Sequence, residues 1–163
     1  LGIDKSTYSR YSESSYKWRY DVPDLGFKYH GNSITASICL VSLRYLEEDN
    51  AYRRKLASIY EAKLSSSEKV TVIRHSPEII SSRHLFQITV NNRDLVMSKL
   101  AEVGIYCGVH YIANHLYPLY TKFQNDCKQA EKYSETLVSL PMHLQVSEED
   151  AAEIATLLLE VTH

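Results

Sequence analysis

The chain has 163 residues, 44% of them hydrophobic and 23% charged, which is enough for one buried core and too short for two comfortable domains. Eighteen basic residues against twenty acidic ones leave a net charge of −2, so composition gives no electrostatic case for a nucleic-acid partner. No apolar run approaches the ~20 residues of a membrane span, and the opening LGIDKSTYSRYSESS lacks the apolar region of a secretory signal.

Residues 1–20 are polar and rich in tyrosine and serine without periodicity, as in a connector. With Leu1 in place of a methionine, the start is expected to lie in mid-protein. Asp21 to Gly26 reads as an extended turn around Pro23. A helix is then predicted from a cap at Asn32 or Ser33, because Ile34, Ile38, Val41, Tyr45, Tyr52, Leu56 and Ile59 recur at helical spacing. It extends to about Leu64 with a bend near Glu48-Asp49-Asn50. Ala36, Cys39, Leu40 and Leu43 make its first half apolar on a second side. That half is expected to be buried nearly all round, or to leave a large uncovered patch if nothing packs on it.

Val70–Ile73 and His84–Val90 carry the β-branched enrichment of strands, separated by a loop at Pro77 and Ser81-Ser82. Asn92 is placed to cap a short helix with apolar Leu95, Val96, Leu100 and Val103, ended by Gly104 in a left-handed conformation. Ile105–Tyr111 reads as a further strand, so that residues 84–111 would form a βαβ-type unit at the centre of a small sheet. Residues 126–137 read as helical, and Ser139–Leu144 as an extended edge in which Pro141 is tolerated. A last helix starts at Ser147, with Asp150 in the second position of a capping box and Ile154, Leu157, Leu158 and Val161 on its core face. The expected fold class is α/β (α+β): a small sheet with helices packed on it plus a long connecting helix.

Cys39, Cys107 and Cys127 form no CxxC pair, and Cys39 and Cys107 lie in apolar periodic segments where a buried thiol acts as a small hydrophobe; this favours a reducing, cytoplasmic setting. None of the five glycines builds GxGxxG or a Walker-type loop, and no GxSxG elbow is present. His110 and His115 stand five residues apart in a proline-containing loop, which is not the helical pair of the zincins, so no metal site is assigned. The plainer reading places His84, His110 and His143 at strand ends as hydrogen-bonded, half-buried residues. Gly26–Ile34 alternates aromatic residues with donors before a helix N-terminus. Lys28, His30 and Asn32 could there hold a phosphate, or the stretch is simply a capped turn with exposed polar side chains. Gly104–Tyr111 opens into an aromatic loop, His115-Leu116-Tyr117-Pro118-Leu119-Tyr120, suited to a sugar or a small polar ligand. Thirteen tyrosines fit a protein with wet interfaces.

In this order, the three stretches resemble the carboxy-terminal half of the DegT-like family, the sugar aminotransferases of fold-type-I pyridoxal-phosphate enzymes. Gly26-Phe27-Lys28-Tyr29-His30 is similar to that family's motif before a long helix. Gly104 to Tyr111 with His115 to Tyr120 is similar to its G-I-x-x-G-V-H-Y and H-L-x-P-x-Y segments, and Ser139-Leu140-Pro141-Met142-His143 to its S-L-P-[LM]-H. The likeness runs over residues 2–162 and includes Tyr52-Arg53-Arg54. It implies pyridoxal phosphate as cofactor, a nucleotide-linked keto-sugar and an amino-acid donor as substrates, a homodimer, and a place in cell-surface polysaccharide or sugar biosynthesis. It implies three segments: 1–32, a connector from a large domain; 33–64, the linking helix; and 65–163, the small domain.

The resemblance also implies that the Schiff-base lysine and the acid facing the pyridine nitrogen come from that large domain, since none of the ten lysines here stands in such a motif. This chain alone is then not catalytic. The resemblance assigns the cofactor phosphate to the loop of Lys28, His30 and Asn32; many members carry Asn at the Lys28 position and Arg or Asn at the His30 position, so which of the three makes the contact stays open. Tyr29, His110, Tyr111 and His115 would border the substrate. The alternative is a stand-alone binding or dimerisation module with the same small-domain fold.

Overall fold

The computed structural model describes residues 23–27, 29, 31–123 and 126–162. Instead of one compact unit there are two, residues 1–44 and residues 45–163. The boundary falls inside the stretch whose periodicity predicts a single helix.

In the first unit, α1 (Ser33–Ser42) is capped by Asn32, whose Oδ1 accepts the Thr35 N–H at 2.8 Å. None of its residues is buried, and Ile34, Ile38, Leu40 and Val41 are exposed. The expectation of burial on all sides is thus not met within this chain, and Cys39 is exposed with its neighbours.

The helix stops well before the predicted bend. Ser37 and Ser42 donate their hydroxyls to the carbonyls of Ser33 and Ile38, a back-bonding that weakens and bends helices. The Arg44 N–H then takes the Val41 carbonyl in a tightened turn. A second helix, α2 (Leu46–Leu64), begins with Glu47, Glu48 and Asp49 in its first turn. Carboxylates belong at the positive end of a helix, so the acidic cluster read as a bend marks a new helix start.

In the second unit α2 buries Leu56, Ala57, Tyr60 and Leu64 along one face. It is followed by β1 (Val70–Val72), β2 (Phe86–Val90), α3 (Arg93–Glu102), α4 (Lys128–Thr136), β3 (Leu137–Leu140) and α5 (Glu148–Val161). The three strands form one antiparallel sheet in the order β1-β2-β3, with Val70 opposite Val90 and Phe86 opposite Leu140. Along β2 the predicted alternation holds: Phe86, Ile88 and Val90 are buried, and Gln87 and Thr89 are half-buried.

The predicted βαβ unit does not form. Residues 105–111 make a single bridge, Gly108 to Ser139, and the place beside β2 goes to Leu137-Val138-Ser139-Leu140, buried throughout. A strand covered on both faces favours that continuous run over one interrupted by Gly108 and His110. The predicted extended edge at 139–144 is therefore a strand that starts and ends earlier. Asn92 precedes α3 with φ 51° and makes no side-chain cap, and Leu95 and Val103 are exposed, leaving Val96 and Leu100 as the core face. Gly104 has φ 83°. Its N–H bonds the Ala101 carbonyl and that of Ile105 bonds Leu100, the paired closure in which a left-handed glycine ends a helix.

The core lies between the sheet, α2, α3 and α5. The Tyr60 and Phe86 rings sit 4.9 Å apart, and the hydroxyls of Tyr60 and Tyr52 donate to the carbonyls of Pro141 at 3.0 Å and Val146 at 2.7 Å. Burial raises the pKa of Tyr60, so its hydroxyl stays a donor in that bond. Ser147 and Asp150 form the expected capping box on α5. The bonds from Ser147 hold the Asp150 carboxyl below its usual range. A carboxyl depressed in the folded state stabilises above its unfolded pKa and loses that contribution as pH falls through the folded value. Asp150→Asn should therefore melt below the wild-type chain at neutral pH, and the two melting curves should converge in acid; a gap that persists at low pH would refute the assignment. Among the described residues no helix is long and apolar enough to cross a membrane.

Candidate functional site

Two stretches carry the predicted site residues, one in each unit. In the first unit Lys28 and His30 lie outside the described residues. Tyr29 is exposed, its ring 5.7 Å from that of Phe27. Asn32 uses its side-chain oxygen to cap α1, which leaves the amide NH2 to donate. The first turn of α1 contains no acidic residue, so no carboxylate competes for the positive end of the helix. Backbone N–H groups at such a helix start suit an anion.

In the second unit His110 leaves the sheet edge just after the Gly108–Ser139 bridge. Its Nδ1 lies 3.0 Å from Ser139 Oγ, and its carbonyl accepts the Gln87 side-chain amide at 2.8 Å. Ser139 is only 4% exposed, and a buried hydroxyl must place its proton on an acceptor. With the Ser139 hydroxyl donating to Nδ1, the ring would carry its proton on Nε2 and present a donor; with Nδ1–H donating to Ser139 Oγ, Nε2 would present an acceptor. The ring lies against Gly108, where a Cβ would stand 2.6 Å from His110 Cε1; only glycine leaves it room. Tyr111 meets the imidazole edge-on at 5.0 Å and is exposed.

His115 is held elsewhere. It sits on a 3-10 turn, Asn114–Leu116, with Nε2 3.1 Å from Glu131 Oε1 on α4. The Ala113 N–H donates to Ser134 Oγ at 2.6 Å, and the Ser134 carbonyl accepts from Arg93. The loop that follows Tyr111 is thus pinned to α4 at two points. The structure brings His110 and Tyr111 together and gives His115 a hydrogen-bond partner of its own, Glu131.

A cleft of about 450 Å3 opens beside His110, and Arg53, His84, Cys107 and His143 share its wall. His84 and His143 are exposed, not half-buried as read from the sequence. Arg83, at φ 52°, turns the chain ahead of His84; its N–H bonds Ser81 Oγ and its guanidinium meets Glu61 on α2 at 2.6 Å. Burial pushes the Cys107 thiol up to about 11, which keeps it protonated and unreactive at neutral pH. Arg53 comes from α2, His84 from the turn before β2 and His143 from the segment after β3. No local motif joins them, and only the antiparallel topology sets them around one cleft. Among the described residues no three His, Cys, Asp or Glu side chains gather as a metal ion would need.

Residues 1–159 match the model of the DegT/DnrJ/EryC1/StrS aminotransferase family. An uncharacterized protein of Methanocaldococcus jannaschii is 26% identical over 98% of this chain and 44% of its own length. A dTDP-4-dehydro-2,3,6-trideoxy-D-glucose 4-aminotransferase of Saccharopolyspora spinosa is 33% identical over 85% of this chain and 36% of its own. A Streptococcus pneumoniae protein assigned as a sugar aminotransferase, solved in its PMP form, superposes with a TM-score of 0.81 at 26% identity, over 99% of this chain and 42% of that one. The chain spans less than half the length of these relatives. With the match covering nearly every residue, the chain belongs to the DegT/DnrJ/EryC1/StrS aminotransferase family.

Proposed function

We propose that the complete protein is a pyridoxal-phosphate-dependent aminotransferase that moves an amino group from an amino acid to a nucleotide-linked keto-sugar, and that this chain supplies its connector and small domain. The observation that carries the reading is the family match along residues 1–159; the relative that acts on a dTDP-linked keto-sugar supports the substrate class. Pyridoxal phosphate, when bound, supplies the electron sink for the transfer. On this reading Asn32, with Lys28 and His30, holds the cofactor phosphate at the start of α1. Tyr29, His110, Tyr111 and His115 border the sugar nucleotide: Tyr111 offers a ring face, and His110 offers Nε2. The Glu131 partner fixes His115 in orientation. The uncovered apolar side of α1 supports pairing with the large domain or a second copy in a homodimer, and the reducing cytoplasm suits three free cysteines.

The test is made on the full-length protein. It should take up pyridoxal phosphate with the visible absorbance of the bound cofactor and consume glutamate only in the presence of a nucleotide-linked keto-sugar. Failure to take up the cofactor would sink the reading. The 163-residue chain alone should show no turnover.

A further inference from the structure

We infer that Glu131 and Ser134 on α4, backed by Arg93, are positioning residues of the substrate site: they hold residues 113–115 so that the loop opening at Tyr111 meets the sugar already ordered. The inference rests on the nucleotide-sugar reading and deepens it by naming what sets the loop in place, on a helix that does not itself border the substrate.

The composition of α4 points to this role. Of its nine residues only Glu131, Ser134 and Thr136 are shielded from solvent, while Ala130 and Tyr133 are exposed. A helix placed by core packing turns its apolar residues inward. In α4 the inward face instead carries Glu131 and Ser134, three residues apart and therefore neighbours on the helix surface. Inward polar groups stabilise a fold only where they find partners. Both find them in the same loop.

Ser134 is 6% exposed. Its Oγ accepts the Ala113 N–H at 2.6 Å. Its carbonyl lies in the last turn of α4, where helical donors run out, and accepts from Arg93. The Arg93 guanidinium is steadied in turn by Asp94, which takes Nε–H at 2.8 Å, and a cation is favoured at the end of a helix. One serine thereby joins α3, α4 and the loop. Glu131 adds a second hold one turn earlier. A carboxylate only accepts, so His115 donates Nε2–H to it across 3.1 Å, with the imidazole side chain 11% exposed.

The loop is fixed from its other end as well. Gln87 on β2 donates to the His110 carbonyl at 2.8 Å, so Tyr111 and Ile112 stand between an anchor on the sheet and one on α4. Both are exposed, Tyr111 at 73%. Exposed apolar side chains on a backbone held at both ends are pre-ordered for a ligand, because binding does not then bear the entropy cost of fixing the loop.

The experiment uses the full-length protein, with the dTDP-linked keto-sugar of the Saccharopolyspora spinosa relative as probe. Conversion of the bound cofactor by glutamate is measured separately from amination of the sugar, because only the second step calls on the loop. Ser134→Ala and Glu131→Ala should each raise KM for the keto-sugar about three- to tenfold, the effect of one hydrogen bond, with kcat, cofactor uptake and the glutamate step within about twofold of wild type. Glu131→Gln keeps an acceptor for His115 and should return KM to within about twofold of wild type.

Loss of the glutamate step together with the sugar step would mark a purely structural role and overturn the inference. So would an unchanged KM in both alanine variants, or a Glu131→Gln protein as impaired as Glu131→Ala. The two readings fail separately. A wild-type protein that aminates the probe while the variants match it removes only the positioning assignment. A wild-type protein that takes up no cofactor removes the aminotransferase reading, one that takes it up but rejects the probe removes the substrate on which the inference rests, and in either case the inference falls too.

Discussion

Phe86→Ala should lower the unfolding free energy of the second unit by about 3–5 kcal/mol, the range for removing a fully buried aromatic ring. Phe86 is 1% exposed on the central strand, opposite Leu140 and 4.9 Å from the Tyr60 ring. Its loss opens a cavity between α2 and the sheet that neither side can close, because Tyr60 is tied to the Pro141 carbonyl. Urea denaturation followed by circular dichroism measures the change, and the midpoint should fall with the slope unchanged. A loss under about 1 kcal/mol would mean that the ring is not the centre of the core.

Leu158→Ala should cost about 2–5 kcal/mol by the same measurement. Leu158 is fully buried on α5, where Ala151 and Ala155 let that helix approach α2 closely. Leu157, one residue earlier, is only half-buried against the edge of the core. Leu157→Ala should therefore cost distinctly less, and equal losses at the two positions would contradict the orientation of α5.

The contrast between those neighbours shows how far the sequence reaches. Periodicity places both on the core side of a helix, because a stripe wide enough to bury Ile154 and Leu158 also takes in Leu157. The capping box at Ser147 and Asp150 and the left-handed Gly104 are legible because their causes lie within a few residues. The strand beside β2 is not. Two apolar runs, 105–111 and 137–140, compete for one edge, and the winner depends on what covers each face in the folded unit. The end of α1 is hidden for a similar reason: apolar spacing continues through Leu43 and Tyr45 while the backbone has already turned.

The site divides in the same way. The family-like stretch singles out His110, Tyr111 and His115 in the sequence, and the structure gives the contacts each one makes. Arg53, His84 and His143 come from segments 31 to 90 residues apart in the chain. Each looks like an ordinary surface residue until the sheet is assembled.

The direct passage of α4 into β3, with Thr136 ending the helix and Leu137 opening the strand, constrains how this part of the chain can change in length. A residue inserted or deleted at that junction would shift β3 by one position and carry Ser139 to the opposite face of the sheet. Val138 or Leu140 would then face His110 with no hydroxyl to offer. Insertions ahead of α4, between the 3-10 turn at Pro118–Phe123 and Lys128, carry no such penalty. Length variation is expected to collect there, on the far side of a helix that shields the register of the strand.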